Sequence, residues 1–249
     1  MFPVRLAGQA SALVCLALSK QWTIFCTNPS RINFRSVTAI RPLDRSFFAR
    51  DPRRVARELL GKVLVRLEKD GQPRGLRLTA RIVEVEAYLG ETDPAAHAAA
   101  GRTARNAVLF GPPGYAYVYF IYGNHYCLNV SCEPEGKAGG VLFRALEPLS
   151  GVEEMARVRS VTLHSPADLP KLTSGPGRLA EALSITRARD NGCDLTSSKG
   201  SLWIGEDGYR ARGIRVTPRI GISKAAEKPL RYILAGNPFV SGPKTRFRS

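Results

Sequence analysis

The chain has 249 residues, with 37 Lys and Arg against 21 Asp and Glu, a formal net charge of +16, 44% hydrophobic and 23% charged residues. That balance gives one or two globular domains with ample core material and excludes wholesale disorder, a coiled coil and a collagen-like fibre; no apolar run approaches the roughly 20 residues of a membrane-spanning helix. The basic surplus calls for a polyanionic partner, nucleic acid first and an anionic membrane surface second, because Lys and Arg that neutralise phosphates release counterions.

Residues 1–43 carry five basic residues (Arg5, Lys20, Arg31, Arg35, Arg41) and no acid, Asp44 being the first. They read as an N-terminal extension: disordered, a targeting segment, or the product of a start assigned too far upstream. Residues 44–249 read as the folded domain. Asp51 followed by Pro52 is a helix start, and Gly61 stops that helix. Lys62–Leu67 is strand-like, Asp70–Pro73 a turn, and Leu78–Leu89 a long strand. Residues 90–114, rich in Gly, Pro and Ala, suit an irregular loop. Tyr115–Tyr122 and Tyr126–Cys132 form two strands about the turn signal Gly123-Asn124, and Gly140–Leu146 a third. Helices follow at about 150–160 and 176–185, then a hairpin around Trp203–Arg215. The fold class expected is mixed α/β (α+β), a compact domain around a curved antiparallel sheet with flanking helices and a protruding hairpin.

Cys15, Cys26, Cys127, Cys132 and Cys193 are odd in number, include no CxxC pair and are joined by three histidines (His97, His125, His164). This is the usage of a reducing compartment, with neither a disulfide framework nor a zinc signature. Nor is there a Walker-type phosphate loop, a GxSxG elbow or an HExxH helix.

Three features can carry chemistry. Side chains alternate across a strand, so Val83, Val85 and Ala87 face one way while Glu84, Glu86 and Tyr88 share the other face. Two carboxylates beside an aromatic can make a general base once burial raises a pKa, although a solvated strand face is the commoner meaning of the pattern. Five tyrosines fall between Tyr115 and Tyr126; Tyr115, Tyr117 and Tyr119 share a face, and Tyr122 stands at the hairpin tip, where an aromatic can wedge between bases rather than pack in a core. Ser174-Gly175-Pro176-Gly177-Arg178 is a Gly-rich helix start able to hold a phosphate, and as often a plain helix start. Arg105, Arg144, Arg219, Lys224, Lys228 and Arg231 are candidate phosphate contacts.

Taken together and in order, Glu84–Gly90, Ala95-Ala96-His97, Tyr117–Gly123, Arg144–Pro148, Ser174-Gly175-Pro176 and Lys228–Tyr232 resemble the alkyladenine (3-methylpurine) DNA glycosylase family, over about Leu43 to Val240. The resemblance implies that Glu86 is the general base activating a water, with Arg144 and the Ile220 carbonyl helping to hold it. It implies that Tyr88, His97 and Tyr119 enclose a flipped base, that backbone amides around Ala95 and His97 bond its edge, and that the Asn129 amide excludes normal guanine. Tyr122 matches the residue that enters the minor groove. Asn124 and His125 depart from the bulkier residues of animal members. The expected partner is double-stranded DNA carrying damaged purines, acted on by a monomer without metal or cofactor. No lysine is placed for a Schiff base, so a monofunctional enzyme is expected, cytoplasmic in a bacterium and nuclear or organellar in a eukaryote. A non-catalytic basic nucleic-acid-binding module is the alternative; it has no use for Glu86 near phosphates. A tRNA-interacting domain leaves the Glu86, His97, Tyr119 and Asn129 set unexplained, and a membrane-surface protein needs a basic amphipathic helix that no segment supplies.

Overall fold

The site rests on one long strand, Leu76–Tyr88, which a computed structural model describing residues 39–68, 76–121 and 125–242 places at the centre of a curled antiparallel sheet. The expected turn at Asp70–Pro73 and the residues Tyr122, Gly123 and Asn124 lie outside the described residues. In chain order the elements are β1 (Arg41–Pro42), α1 (Arg45–Phe48), α2 (Pro52–Leu59), β2 (Val63–Glu68), β3 (Leu76–Tyr88), β4 (Ala116–Ile121), β5 (His125–Ser131) and β6 (Gly140–Ser150). Then come α3 (Val152–Val158), α4 (Pro170–Thr173), α5 (Pro176–Ala182), α6 (Arg187–Asp190), β7 (Leu202–Glu206), β8 (Ile214–Thr217) and β9 (Arg231–Leu234). The region 90–114 holds only two short 3-10 turns, Gly90–Thr92 and Ala107–Phe110, as its composition predicts.

Local chemistry accounts for these elements. The Asp51 side chain accepts from the Arg53 N–H at 2.8 Å and Pro52 occupies the first turn of α2, whose Val55, Ala56 and Leu59 are buried. Gly61, at φ +86°, turns the chain so that its N–H reaches the Ile82 carbonyl at 2.8 Å, a conformation glycine adopts without Cβ strain. On β3, Val83, Val85 and Ala87 lie in the main core with Phe143 and Leu146. Among the described residues no helix is long and apolar enough to cross a membrane.

The strand order is β1-β7-β2-β3-β6-β5-β4, with β9 on β3 and β8 on β9, and all pairings are antiparallel. β6 occupies one edge of β3. The other edge is divided: β2 pairs with Leu76–Arg81 and β9 with Glu84–Glu86. At this changeover the β3–β6 register slips, leaving Val83 on β3 and Arg144 on β6 without a direct partner. Such bulges bend a strand and re-aim its side chains.

Three sequence expectations are corrected. The hairpin at Trp203–Arg215 does not form: β7 pairs with β1 and β2, while β8 pairs with β9. Nearby turn residues favoured a local pairing, but distant strands offer these segments a packed partner. β6 runs on to Ser150, past the predicted end at Leu146, with Pro148 opposite Ala80. The folded body takes in Arg41 and Pro42, which pair with Glu206 and Gly205, so it begins ahead of Asp44.

Candidate active site

Glu84 and Glu86 project from β3 and are both fully buried, not solvated. A buried carboxylate survives only where donors replace water. Glu86 Oε1 accepts the Ile220 backbone N–H at 2.9 Å and meets Arg144 Nη1 at 3.2 Å, while Oε2 accepts the Tyr88 hydroxyl at 3.0 Å. Glu84 Oε1 accepts from Arg144 Nε at 2.9 Å, Arg231 Nε at 2.7 Å and the Ser241 hydroxyl at 2.9 Å, and Oε2 accepts the Ser241 N–H. Arg144 Nη1 also donates to the Ile220 carbonyl at 3.3 Å. Two acids and two arginines therefore form a compensated buried cluster. Burial works against the Arg144 charge, but Glu86 and Glu84 outweigh it and raise its pKa. Burial first, and the Glu86 charge second, push the Tyr88 hydroxyl far up, so it stays a donor.

Above this cluster opens a pocket of about 350 Å³, lined among others by Tyr88, His97, Tyr119, Asn129, Arg144 and Ile220. This is near the small end of the roughly 300–1,000 Å³ usual for ligand sites. Aromatic rings form part of its wall: His97 meets Tyr119 edge-on, with centroids 4.4 Å apart, and Tyr117 backs both rings. His97 Nδ1 shares a 2.8 Å hydrogen bond with the Tyr117 hydroxyl, and the Asn106 amide holds the His97 carbonyl at 2.9 Å. Desolvation by these neighbours, then the Arg105 charge, lower the His97 pKa, although its outer face is exposed. The Asn129 amide donates to the Tyr117 carbonyl at 3.2 Å, which fixes its plane. Cys127, opposite Tyr119 across the β4–β5 ladder, has its thiol pushed up by burial to about 11 and is neutral.

The structure thus brings Arg144, Tyr88, Ala95, His97, Tyr119, Asn129 and Ile220 into the lining of one pocket, with Glu86 enclosed behind it in contact with Tyr88, Arg144 and Ile220. The Ala95 N–H differs from expectation, because it is donated to Asp93 Oδ1 at 3.2 Å. Tyr122, the expected wedge, lies outside the described residues. Tyr115 leaves the aromatic row: β4 begins one residue later, and the Tyr115 ring takes the Arg45 guanidinium 4.8 Å above it.

Two of the candidate phosphate contacts are corrected. Arg219 is buried and forms a two-point ion pair with Asp93, Nη1–Oδ2 at 2.5 Å and Nη2–Oδ1 at 2.9 Å. Its guanidinium also lies 4.6 Å from the Tyr88 ring centroid. Arg231 is buried on Glu84, the Thr217 hydroxyl and the Ser241 carbonyl. Both guanidiniums are consumed by internal acids, which a count of basic residues does not reveal. Arg105 and Lys224 are exposed and Lys228 half-exposed. At the Gly-rich segment Pro176 lines the pocket, and a Cβ on Gly177 would come within 3.0 Å of the His125 ring; α5 has only seven residues, and its start packs the base of the hairpin. Asp93 and Ser241 escaped the sequence reading. Asp93 precedes Pro94 and accepts the Ala95 N–H two residues on, an Asx-type local signal; Ser241 has no signal at all. Among the described residues no group of His, Cys, Asp and Glu is gathered to hold a metal.

A curled antiparallel sheet with a buried, arginine-held acid behind a pocket lined in part by aromatic rings defines a candidate enzyme site. Comparison with known proteins makes this specific: the family described as Methylpurine-DNA glycosylase (MPG) matches residues 46–238, and the chain belongs to it. It is 64% identical over 209 residues to a Koribacter versatilis protein named "Putative 3-methyladenine DNA glycosylase", covering 84% of this chain and 97% of that one. Proteins of the same name match from Rhodopseudomonas palustris (strain HaA2), 50% identical over 81% of this chain and 91% of the relative, and from Alkaliphilus oremlandii, 44% identical over 80% and 98%.

Proposed function

We propose that this DNA glycosylase of the methylpurine type flips damaged purines out of duplex DNA and releases them by hydrolysis, with Glu86 as general base. The observation that carries the proposal is the setting of Glu86: buried and bonded by Ile220, Tyr88 and Arg144, three residues that line the aromatic pocket. Glu86 takes a proton from a water whose oxygen bonds to C1′ as the C1′–N bond breaks, and the base leaves with the bonding electrons. Arg144 and the Ile220 carbonyl, in contact with each other at 3.3 Å, flank that water.

Substrate choice follows from the lining. Methylated purines such as 3-methyladenine and 7-methylguanine are cationic, and electron-rich rings at Tyr88 and Tyr119 favour a cation stacked on them. Their charge also weakens the glycosidic bond. Neutral hypoxanthine and ethenoadenine rely more on hydrogen bonds to leave. The fixed Asn129 amide collides with the 2-amino group of guanine. Unstacking costs a few kcal/mol, less for damaged or mispaired bases, which adds selectivity before chemistry begins. Tyr122 fills the gap left in the stack. Among the described residues no lysine lines the pocket to attack C1′, and the reading is hydrolysis to an abasic site without strand cleavage. The reaction needs one chain per lesion and no cofactor.

Glu86→Gln tests the proposal. Base release from a hypoxanthine duplex, scored after alkaline scission, is expected to fall by about 10²–10⁴-fold, the usual worth of a general base. Binding to abasic-analogue DNA is expected to persist. Undiminished release by this variant would remove Glu86 from the role.

A further inference from the structure

Glu84 is the buried acid that this mechanism does not use. It touches no surface of the pocket, yet four hydrogen bonds converge on it, from Arg144, Arg231 and twice from Ser241. Its contact with Arg144 is directional. Arg144 turns Nε to Glu84 at 2.9 Å and Nη2 to the Ser241 hydroxyl at 3.5 Å, so one side of the guanidinium is spent there. Only Nη1 remains for Glu86 and the Ile220 carbonyl.

An ionised carboxylate offers about four acceptor positions, and on Glu86 three donors already stand: Ile220 N–H, Arg144 Nη1 and the Tyr88 hydroxyl. One position is left for a water. Arginine prefers two parallel contacts to a carboxylate over one, and an Arg144 released from Glu84 would take the second on Glu86. The water would then have no base to give its proton to. Arg231, paired with Glu84 through Nε, would lose its partner at the same time.

We infer that Glu84 is a positioning residue: by engaging one side of Arg144 it limits that arginine to a single contact with Glu86 and keeps the last acceptor position of Glu86 for the hydrolytic water. The inference rests on Glu86 acting as the base. It assigns Ser241 a supporting part, since its hydroxyl links Glu84 and Arg144.

The experiment is single-turnover release of hypoxanthine from a duplex by purified full-length variants. Glu84→Gln keeps the shape of the side chain and is expected to slow release by about tenfold or more while the half-saturating duplex concentration stays within about twofold. In an Arg144→Ala background the same change is expected to add less than about twofold, because the residue through which Glu84 acts is gone. Multiplicative effects, or a native rate in Glu84→Gln, would overturn the inference. Should Glu84→Gln not fold, Ser241→Ala leaves every charge in place. It is expected to slow release by a smaller factor, again non-additively with Arg144→Ala, and an unchanged rate would count against the inference. Glu86→Gln run alongside separates the two readings. Full activity there sinks the base assignment itself; loss there with native activity in Glu84→Gln and Ser241→Ala sinks only the role of Glu84.

Discussion

His97 stands between two kinds of neighbour, the rings of Tyr117 and Tyr119 and the charge of Arg105, and both keep it neutral. The sign of the pH effect follows. A histidine whose folded pKa lies below its ordinary 6.5 leaves its contribution intact above 6.5, and acid removes it as the pH falls through the folded value. In the pocket, a protonated His97 repels a cationic base. Affinity for duplexes carrying 7-methylguanine is therefore expected to weaken as the pH is lowered from 6.5 in the native protein, and to change less in His97→Gln. Equilibrium binding across that range checks it, and parallel curves would remove His97 as the titrating group.

At the scale of elements, the Asp93–Arg219 pair joins the two irregular segments that form the pocket walls. Asp93 bonds the Leu89 and Ala95 N–H groups on one side. Arg219 donates to the Ala87 carbonyl at 3.1 Å and immediately precedes Ile220, which touches both Glu86 and Arg144. Burial raises the Asp93 carboxyl, but bonds from Arg219, Ala95 and Leu89 prevail and hold it below the usual range. Arg219→Ala strands a buried carboxylate and is expected to cost about 3–5 kcal/mol in urea unfolding, the typical penalty for breaking a buried pair. Adding Asp93→Asn removes the stranded charge and is expected to restore part of that loss. Neither change is expected to alter the salt dependence of DNA binding, since Arg219 is enclosed.

Over the whole molecule, charge available to DNA is smaller than charge in the sequence. Arg66, Arg144, Arg219 and Arg231 are buried, whereas Lys224 is exposed, two residues past the pocket-lining Ile222. Lys224→Ala is expected to weaken binding equally for damaged and intact duplexes and to flatten the slope of log affinity against log salt by about one unit; an unchanged slope would take Lys224 off the phosphate path. This difference also marks where sequence reasoning reached and where it stopped. Period-two patterning located β3 and the shared face of Glu84, Glu86 and Tyr88, and capping residues located α2. The burial of that face was not legible, because it depends on Arg144, Arg231 and Ser241 arriving from β6, β9 and the C-terminal segment. For the same reason Arg219 and Arg231 read as surface cations. A residue's charge is local information, but its partner is set by long-range pairing, and the exchange of β7 and β8 between distant strands shows the same limit at the level of the sheet.

β3 gives one edge to β6 and shares the other between β2 and β9, so neither of its carboxylates can be displaced without unzipping ladders on two sides. The side chains at Ala95, His97 and Ile222 reach the same cavity from irregular backbone outside every ladder. Those three positions can accordingly be substituted to reshape the cavity wall with every ladder left in place. The proposed proton-handling apparatus would be carried along unaltered, as an heirloom of the scaffold.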